Sequence, residues 1–436
     1  MIKAGLIGGK LGHSASPQIH KLYGCLIGQD IRYTLHEADA PGLEALLLDL
    51  QAKGYAGVNV TIPHKKAVMP LLDEISPEAA AIGAVNTIRF ENGRTVGYNT
   101  DYFGLKWLLE RSDISLRGQA VAILGSGGAA RCAYALARDL GAEAIVFSRA
   151  PQKSDPALNA RGYDVLNTID HIGVLINTTP AGMHPNVDEC PVSESIIQKF
   201  GAVVDLIYNP AETVLMQKAA MLGKCCAGGL AMLCAQAVKA EEIWTGVAFD
   251  EEVCEHIYKK IAKDMQTNIV LIGMPGSGKS AVGQRLAEKL GMGFMDTDAM
   301  IEEQHGVIKE IFASQGEAAF REMELSAAQF AARRDHTVIS TGGGIVQTDV
   351  AMHALKASGV VVYIDRPLAL LLQETETAHR PLLAGGRDAL ISLYEKRHAL
   401  YEGCADIRVI NDAGLEACAD AIIKMLEGYR DETAGD

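Results

Sequence analysis

The sequence predicts an α/β protein built from successive strand–loop–helix units around parallel sheets, and two glycine-rich loops carry that prediction. Gly273-Met274-Pro275-Gly276-Ser277-Gly278-Lys279-Ser280 follows the apolar run Asn268–Ile272. It precedes Val282, Leu286 and Leu290 at helical spacing, with Gly291 as a stop. Gly125-Ser126-Gly127-Gly128-Ala129-Ala130 follows Ala120–Leu124 and precedes Ala133, Leu136 and Leu140 in the same way. The third observation is a series of short apolar runs at Glu143–Phe147, Val174–Asn177, Val203–Leu206, Val338–Ser340 and Val360–Asp365. Each closes on a polar or glycine-rich turn, as buried parallel strands do.

A length of 436 residues corresponds to roughly two to four domains. Hydrophobic residues make up 48% and charged residues 22%, the balance of a soluble globular protein. A formal net charge of -14 argues against an extended nucleic-acid or anionic-membrane surface. It leaves room for a small acidic ligand held by a few local arginines. The nine cysteines include no C-x-x-C pair, and Cys225 and Cys226 are adjacent. Reduced thiols in a cytoplasmic protein are expected from this pattern. No apolar run reaches the ~20 residues of a membrane span, and Met1–Gly8 is too short and glycine-rich for a signal peptide's core. Homo-oligomer formation is left open.

In chain order, residues 2–7 read as a strand and Gly8–Pro17 as a polar loop. Ser16 is placed as helix cap and Pro17 at the first helical position. Ser14 and Ser16 serve equally as turn and cap residues or as members of a site. After a helix at Leu43–Leu50, residues 57–62 alternate as a strand until Pro63 ends the ladder. Asn59 and Thr61 then share a face, with Lys65 just beyond the strand end. Polar clusters follow at Gly83–Thr87 and Gly97–Asp101. Asp101 reads equally as the N-cap of a helix over Phe103–Leu109 or as the acid of a site.

The loop Gly125–Ala130 is close to the dinucleotide fingerprint G-x-G-x-x-[GA]. After the next strand, Ser148-Arg149 stands where an acid for the ribose is common, with Lys153 nearby. Cations there point to the 2′-phosphate of NADP(H). An apolar helix starting in Gly228–Gln236 and a lysine-containing helix over 257–267 close this half. The expected divisions are 1–101, completed by helices of 228–264; a dinucleotide domain, 102–227; and a phosphate-loop domain, 267–436.

In the second half, Gly273–Ser280 fits G-x-x-x-x-G-K-[ST] at every fixed position. ATP phosphates are expected on its backbone N–H groups and Lys279, with Mg2+ on Ser280. Asp296 and Asp298, two apart at a strand end, are expected to project to one side beside that loop. Arg321 follows Phe320, and Gly342-Gly343-Gly344 forms a turn that a substrate can approach closely. Between Gln373 and Asp388 lies a polar stretch with His379-Arg380-Pro381, the composition of a mobile lid. Arg397 follows on a helix with Tyr394 and Tyr401. Each arginine alone also suits a surface ion pair.

Together these segments resemble a shikimate dehydrogenase followed by a shikimate kinase, over nearly the whole chain. The first half matches through Ser14-Ala15-Ser16, the N-V-T-x-P-x-K run Asn59–Lys65, Asn86-Thr87, Asn99-Thr100-Asp101, Gly125–Ala129 and Gly229–Gln236. The resemblance implies a substrate domain joined to a Rossmann NADP domain. It implies that Ser14, Ser16, Asn59, Thr61, Asn86, Tyr208 and Gln236 hold the substrate, with Asp101, and that Lys65 and Asp101 form the acid/base pair. NADP(H) would meet Gly125, Ser126, Gly127, Gly128, Ala129, Ser148, Arg149, Lys153, Leu206 and Gly229. Ser148-Arg149-Ala150 departs from the family's Asn-Arg-Thr, and His64 from its phenylalanine.

The second half matches through the phosphate loop, Asp296-Thr297-Asp298, Phe320-Arg321, Gly342–Gly344, Arg380-Pro381-Leu382-Leu383 and Arg397. The resemblance implies ATP on Gly276, Ser277, Gly278, Lys279, Ser280 and Ala281, and Mg2+ near Ser280 and Asp296. Asp298, Arg321, Gly343, Gly344 and Arg397 would hold shikimate. Lys279 and the lid residue Arg380 would serve the transferring phosphate. A second lid arginine that many members carry is missing, since Gln373–Thr377 contains none. The implied substrates are 3-dehydroshikimate and shikimate. Three other readings remain: a quinate/shikimate dehydrogenase half, a different small-molecule kinase, or a ligand-sensing relative without catalysis.

Overall fold

The computed structural model describes residues 1–12, 14–169, 172–377 and 386–435. The chain forms two compact units, Met1–Asn209 with Thr213–Ala262, and Pro210–Glu212 with Lys263–Asp436.

The first unit holds two sheets. One is mixed, in the order β2-β1-β3-β5-β6-β4. Its strands are β1 (Ile2–Gly8), β2 (Ile31–Glu37), β3 (Gly57–Val60), β4 (Glu74–Ile75), β5 (Thr87–Glu91) and β6 (Arg94–Tyr98). β3 pairs parallel with β1 but antiparallel with β5. The β5–β6 hairpin turns on Asn92-Gly93, both at positive φ (50° and 78°). Those dihedrals match the twist of the flanking strands, which explains the Asn-Gly pair. The helix Leu230–Thr245 lies on this sheet, and its Trp244 Nε1 donates to the Ile88 carbonyl at 3.0 Å. The same helix packs on Thr100–Arg111 at Gly104, where a Cβ would stand 2.6 Å from the Met232 carbonyl.

The other sheet is parallel, in the order β11-β10-β9-β7-β8. It comprises β7 (Ala120–Leu124), β8 (Glu143–Phe147), β9 (Ile172–Asn177), β10 (Phe200–Asp205) and β11 (Cys225–Gly228). β7 lies between β8 and β9, so the strand order reverses beside the loop that begins at Gly125. That crevice is where open α/β sheets bind ligands.

The second unit has a parallel sheet in the order β13-β14-β12-β15-β16. It comprises β12 (Asn268–Ile272), β13 (Gly293–Asp296), β14 (Thr337–Ser340), β15 (Gly359–Asp365) and β16 (Ile407–Ile410). Every residue of β12 and β15 is buried, which accounts for their unbroken apolar runs.

Three local expectations are corrected. β3 stops at Val60, so Thr61 stands past the strand rather than within it. The helix Ser16–Leu26 has Ala15 at its N-cap and makes no side-chain cap bond, which leaves Ser16 as its first residue. The helix Thr100–Arg111 is capped by Asn99, whose side chain accepts from the Tyr102 N–H at 3.3 Å. Asp101 is therefore in the first turn and not the cap. Among the described residues the cysteines are free thiols, and no helix is long and apolar enough to cross a membrane.

Candidate active sites

The first site forms where β3, β5 and the helix Thr100–Arg111 meet. Asn99 takes over the capping role and leaves Asp101 facing inward, where Lys65 Nζ donates to its Oδ2 at 2.5 Å. Both side chains are largely covered, 19% and 11% exposed. Lys65 is fixed behind by the Val85 N–H, which donates to its carbonyl at 2.8 Å. Its stem lies beside the dinucleotide loop, since a Cβ on Gly128 would be 3.5 Å from Lys65 Cδ.

A connected polar network extends from this pair. Asn86 Oδ1 accepts from the Thr100 N–H at 2.7 Å, and Asn86 Nδ2 donates to Thr100 Oγ1 at 3.1 Å. Thr100 Oγ1 in turn donates to Gln236 Oε1 at 3.4 Å. Asn59 Nδ2 donates to Thr87 Oγ1 at 3.0 Å and receives the Tyr33 hydroxyl on its Oδ1 at 2.8 Å. Ser14 Oγ accepts from the Ser16 N–H at 3.3 Å, and Ser16 hydrogen-bonds Tyr33. Tyr33 is thus a member that no motif indicated. It stacks on buried His20 at 4.0 Å, and His20 Nδ1 meets Glu241 Oε1 at 2.6 Å. Thr61 is half-buried and held by its N–H on the Ile7 carbonyl at 2.9 Å. Tyr208 lies just past β10 and is largely buried, which pushes its phenol pKa up.

The loop after β7 fits a dinucleotide phosphate. Gly125 has φ 111°, and a Cβ there would stand 2.5 Å from Thr178 Oγ1, so only glycine is tolerated. Nothing crowds Gly127, and the helix Gly128–Asp139 starts with its N–H groups toward the crevice. Ser126 Oγ lies 3.3 Å from Ser148 Oγ, and Arg149 and Lys153 are exposed beside them. Across the crevice, Gly229 abuts Leu206: a Cβ on Gly229 would be 2.2 Å from the Leu206 carbonyl oxygen. Below it Asp205 is fully buried, accepting from Thr213 Oγ1 at 2.7 Å and Asn177 Nδ2 at 3.0 Å. Burial pushes its carboxyl up to about 6.

The second unit's site is centred on the phosphate loop. Gly276 and Gly278 take φ 84° and 92°, which lets successive N–H groups point into the loop. Lys279 Nζ donates to the carbonyls of Gly273 (2.9 Å) and Met274 (3.0 Å). Asn411 Nδ2, beyond β16, fixes the Ser277 carbonyl at 2.9 Å. Ser277 Oγ is buried without a partner among the described residues, an atom suited to a phosphate oxygen. Ser280 Oγ donates to Asp296 Oδ2 at 2.6 Å, bringing together the hydroxyl and carboxylate that would hold Mg2+. Ala281 follows in the helix Lys279–Leu290.

Asp296 ends β13 and caps the helix Thr297–His305, accepting from the Asp298 and Ala299 N–H groups. Asp298 therefore projects from a helix, and the strand alternation expected for the two aspartates does not apply. Its Oδ1 is buried without a partner among the described residues. Burial first, and the Asp296 charge second, push its carboxyl up to about 6. The glycine triplet borders it: a Cβ on Gly342 would be 2.5 Å from Asp298 Oδ1, and one on Gly344 2.1 Å from Arg321 Nη1. Arg321 donates to Glu324 Oε2 at 2.6 Å, and Arg397 to the Gly343 carbonyl at 3.0 Å. Glu324, unnoticed in the sequence, is readable afterwards as the helical i+3 neighbour of Arg321. Arg380 lies outside the described residues.

The sequence-expected residues thus fall into two constellations, one per unit, and comparison with known proteins gives the same division. The family model of the shikimate dehydrogenase substrate binding domain matches residues 6–88, and that of shikimate kinase matches residues 275–427. The shikimate dehydrogenase (NADP(+)) of Clostridium perfringens is 43% identical over 263 residues, covering 59% of this chain and 97% of that protein. That of Methanothermobacter thermautotrophicus is 39% identical over 271 residues, covering 59% and 95%. Among solved structures, a chorismate mutase/shikimate 5-dehydrogenase fusion protein from Clostridium acetobutylicum superposes with TM-score 0.59 at 38% identity, over 60% of this chain and 98% of that one. Shikimate dehydrogenase 1 from Peptoclostridium difficile gives 0.55 at 40% identity, over 60% and 98%. The chain belongs to the shikimate dehydrogenase family and carries a shikimate kinase domain behind it on the same polypeptide.

Proposed function

We propose that the chain performs two consecutive reactions: reduction of 3-dehydroshikimate to shikimate with NADPH, then phosphorylation of shikimate to shikimate 3-phosphate with ATP and Mg2+. The observation that carries this reading is the Lys65–Asp101 pair at 2.5 Å, set against the dinucleotide loop. The related shikimate dehydrogenases (NADP(+)) support the cofactor.

In the first reaction Gly125–Ala129, with Arg149 and Lys153 for a 2′-phosphate, would hold NADPH, which would supply the hydride. Lys65 Nζ gives its proton to the oxygen that becomes the new hydroxyl, and ketone plus hydride plus proton balances as alcohol. Asp101 orients the ammonium through the hydrogen bond to its Oδ2. Lys65 regains its proton from solvent through its exposed edge. Ser14, Ser16, Thr61, Asn86, Tyr208 and Gln236 hold the substrate's carboxylate and hydroxyls. Asn59, bonded within the protein, acts by fixing Asn86 and Thr87.

In the second reaction ATP supplies the phosphoryl group and Mg2+ offsets its charge. This chemistry needs placement more than covalent help. Residues Gly276–Ala281 would hold the phosphates by N–H groups and Lys279, and Ser280 with Asp296 would hold the metal. Asp298 accepts a hydrogen bond from the hydroxyl that would be phosphorylated, and that hydroxyl's proton is released as the bond between the γ-phosphorus and ADP breaks. Arg321 and Arg397, with the backbone of Gly343 and Gly344, hold the carboxylate. Arg380 is assigned to the phosphates by its motif.

The test supplies purified protein with 3-dehydroshikimate, NADPH, ATP and Mg2+ while NADPH oxidation and ADP release are followed together. Both are expected, and ADP release should lag until shikimate has accumulated. Protein that oxidises no NADPH, or releases no ADP when shikimate itself is added, overturns the reading.

A further inference from the structure

The two arginines of the acceptor pocket are joined by a residue that no motif picks out. Gln347 closes the short turn Ile345–Gln347 that follows the glycine triplet. Its Oε1 accepts from Arg397 Nη2 at 2.9 Å and from Arg321 Nη2 at 3.3 Å. The other ends of both guanidinium groups are anchored, Arg397 Nη1 on the Gly343 carbonyl (3.0 Å) and Arg321 Nη1 on Glu324 Oε2 (2.6 Å), and Arg321 Nη2 also donates to Glu317 Oε1 at 3.0 Å. One neutral oxygen therefore sits where two cations converge.

Resting on the reading that this pair holds the carboxylate of the phosphoryl acceptor, we propose that Gln347 is a specificity-determining residue of the kinase site. Its amide oxygen sets the spacing of the two guanidinium groups at the distance a carboxylate needs. Its neutrality adds no third carboxylate to the Glu317 and Glu324 that Arg321 already meets, and its amide nitrogen sits on the same carbon, ready to donate to a carboxylate oxygen. A charged acceptor at this position would satisfy the arginines internally and compete with the substrate. The pocket thus selects small carboxylates because residue 347 is polar without being anionic.

Glutamate and alanine substitutions separate this role from simple support. A glutamate carboxylate bonds both arginines more strongly than the amide oxygen does, so a structural residue would tolerate Gln347→Glu or gain thermal stability from it. The inference instead expects Gln347→Glu to raise KM for shikimate by about tenfold or more, the equivalent of one competing charge-assisted contact. The kcat, KM for ATP and dehydrogenase rate of the same chain should stay within about twofold, and Gln347→Ala should raise KM for shikimate by about threefold. An unchanged KM in Gln347→Glu, or a fall in kcat at constant KM, overturns the inference. Wild-type protein that does not phosphorylate shikimate overturns the functional reading instead, whatever the variants do.

Discussion

The dehydrogenase and kinase units each bury a carboxyl near the mouth of a parallel sheet, and the two are treated differently. Asp205 is fully buried, yet it accepts from Thr213, Asn177 and the Ile207 N–H. Asp298 in the kinase unit has an Oδ1 with no partner among the described residues. Both are pushed up to about 6, chiefly by burial. Equal shifts therefore accompany opposite roles: the satisfied carboxylate ties two loops together, and the unsatisfied one faces the space beside Gly342. The contrast extends to the whole sites. Around Lys65 the polar side chains bond to one another beside the Lys65–Asp101 ion pair. Around Lys279 the ammonium rests on backbone carbonyls, while Ser280 meets Asp296 and Arg321 meets Glu324. In the proposed reactions the first site supplies a proton, whereas the second supplies a cradle.

The sharpest way to break this comparison is to remove the reactive proton. Lys65→Ala should lower NADPH oxidation by about 10³-fold or more, the scale of lost general-acid catalysis. ADP release with shikimate supplied should be unchanged, and a comparable fall in both would join the two sites. Next in size, Lys279→Ala should cost about 10²–10³ in phosphorylation rate, as expected for one preorganised cation, with reduction untouched. A smaller effect tests the backbone cradle. In Gly344→Ala the new Cβ would displace Arg321, the far end of a flexible side chain, so the fold persists. KM for shikimate should rise about tenfold for the lost arginine contact, and an unchanged KM would remove Arg321 from the pocket.

Asp298 gives a pH-dependent test. Its folded carboxyl sits at about 6 against an ordinary 3.8. Between those values the folded chain binds the proton more tightly than the unfolded chain does. Stability of the kinase unit from this group therefore falls as pH rises from about 4 to about 6, and the penalty is complete above that range. Asp298→Asn should stabilise the protein at pH 7 by on the order of 2 kcal/mol, with the gain gone by about pH 4. A gain that does not vary with pH in denaturant titrations would contradict the assignment. The smallest effect is at Tyr33→Phe, which removes the hydroxyl that bonds Asn59 and Ser16. About 1 kcal/mol of stability should be lost, with a modest rise in KM for the dehydrogenase substrate and none for the kinase.

The glycine loops were legible because their meaning is local: positive φ at Gly125, Gly276 and Gly278 is needed whatever surrounds them. The alternation of apolar strands with helical spacing was legible for the same reason. Asn99 and Asp101 show where local reading stops. Either residue can cap a helix, and tertiary pairing with Lys65, distant in sequence, decides which one does not. Asp298 was placed on a strand because period two fits Asp296 and Asp298, but β13 ends at Asp296 and a helix begins. Gln347 and Tyr33 could not be found at all. Their partners, Arg397 and Asn59, come from elements far along the chain, and no spacing rule connects them.

The most direct test of two separable sites linked by one metabolite uses Lys65→Ala protein with 3-dehydroshikimate, NADPH, ATP and Mg2+. No ADP should be released until shikimate is added, and release should then run at the unmutated rate. ADP release before shikimate is added, or a failure of shikimate to restore it, would contradict the account.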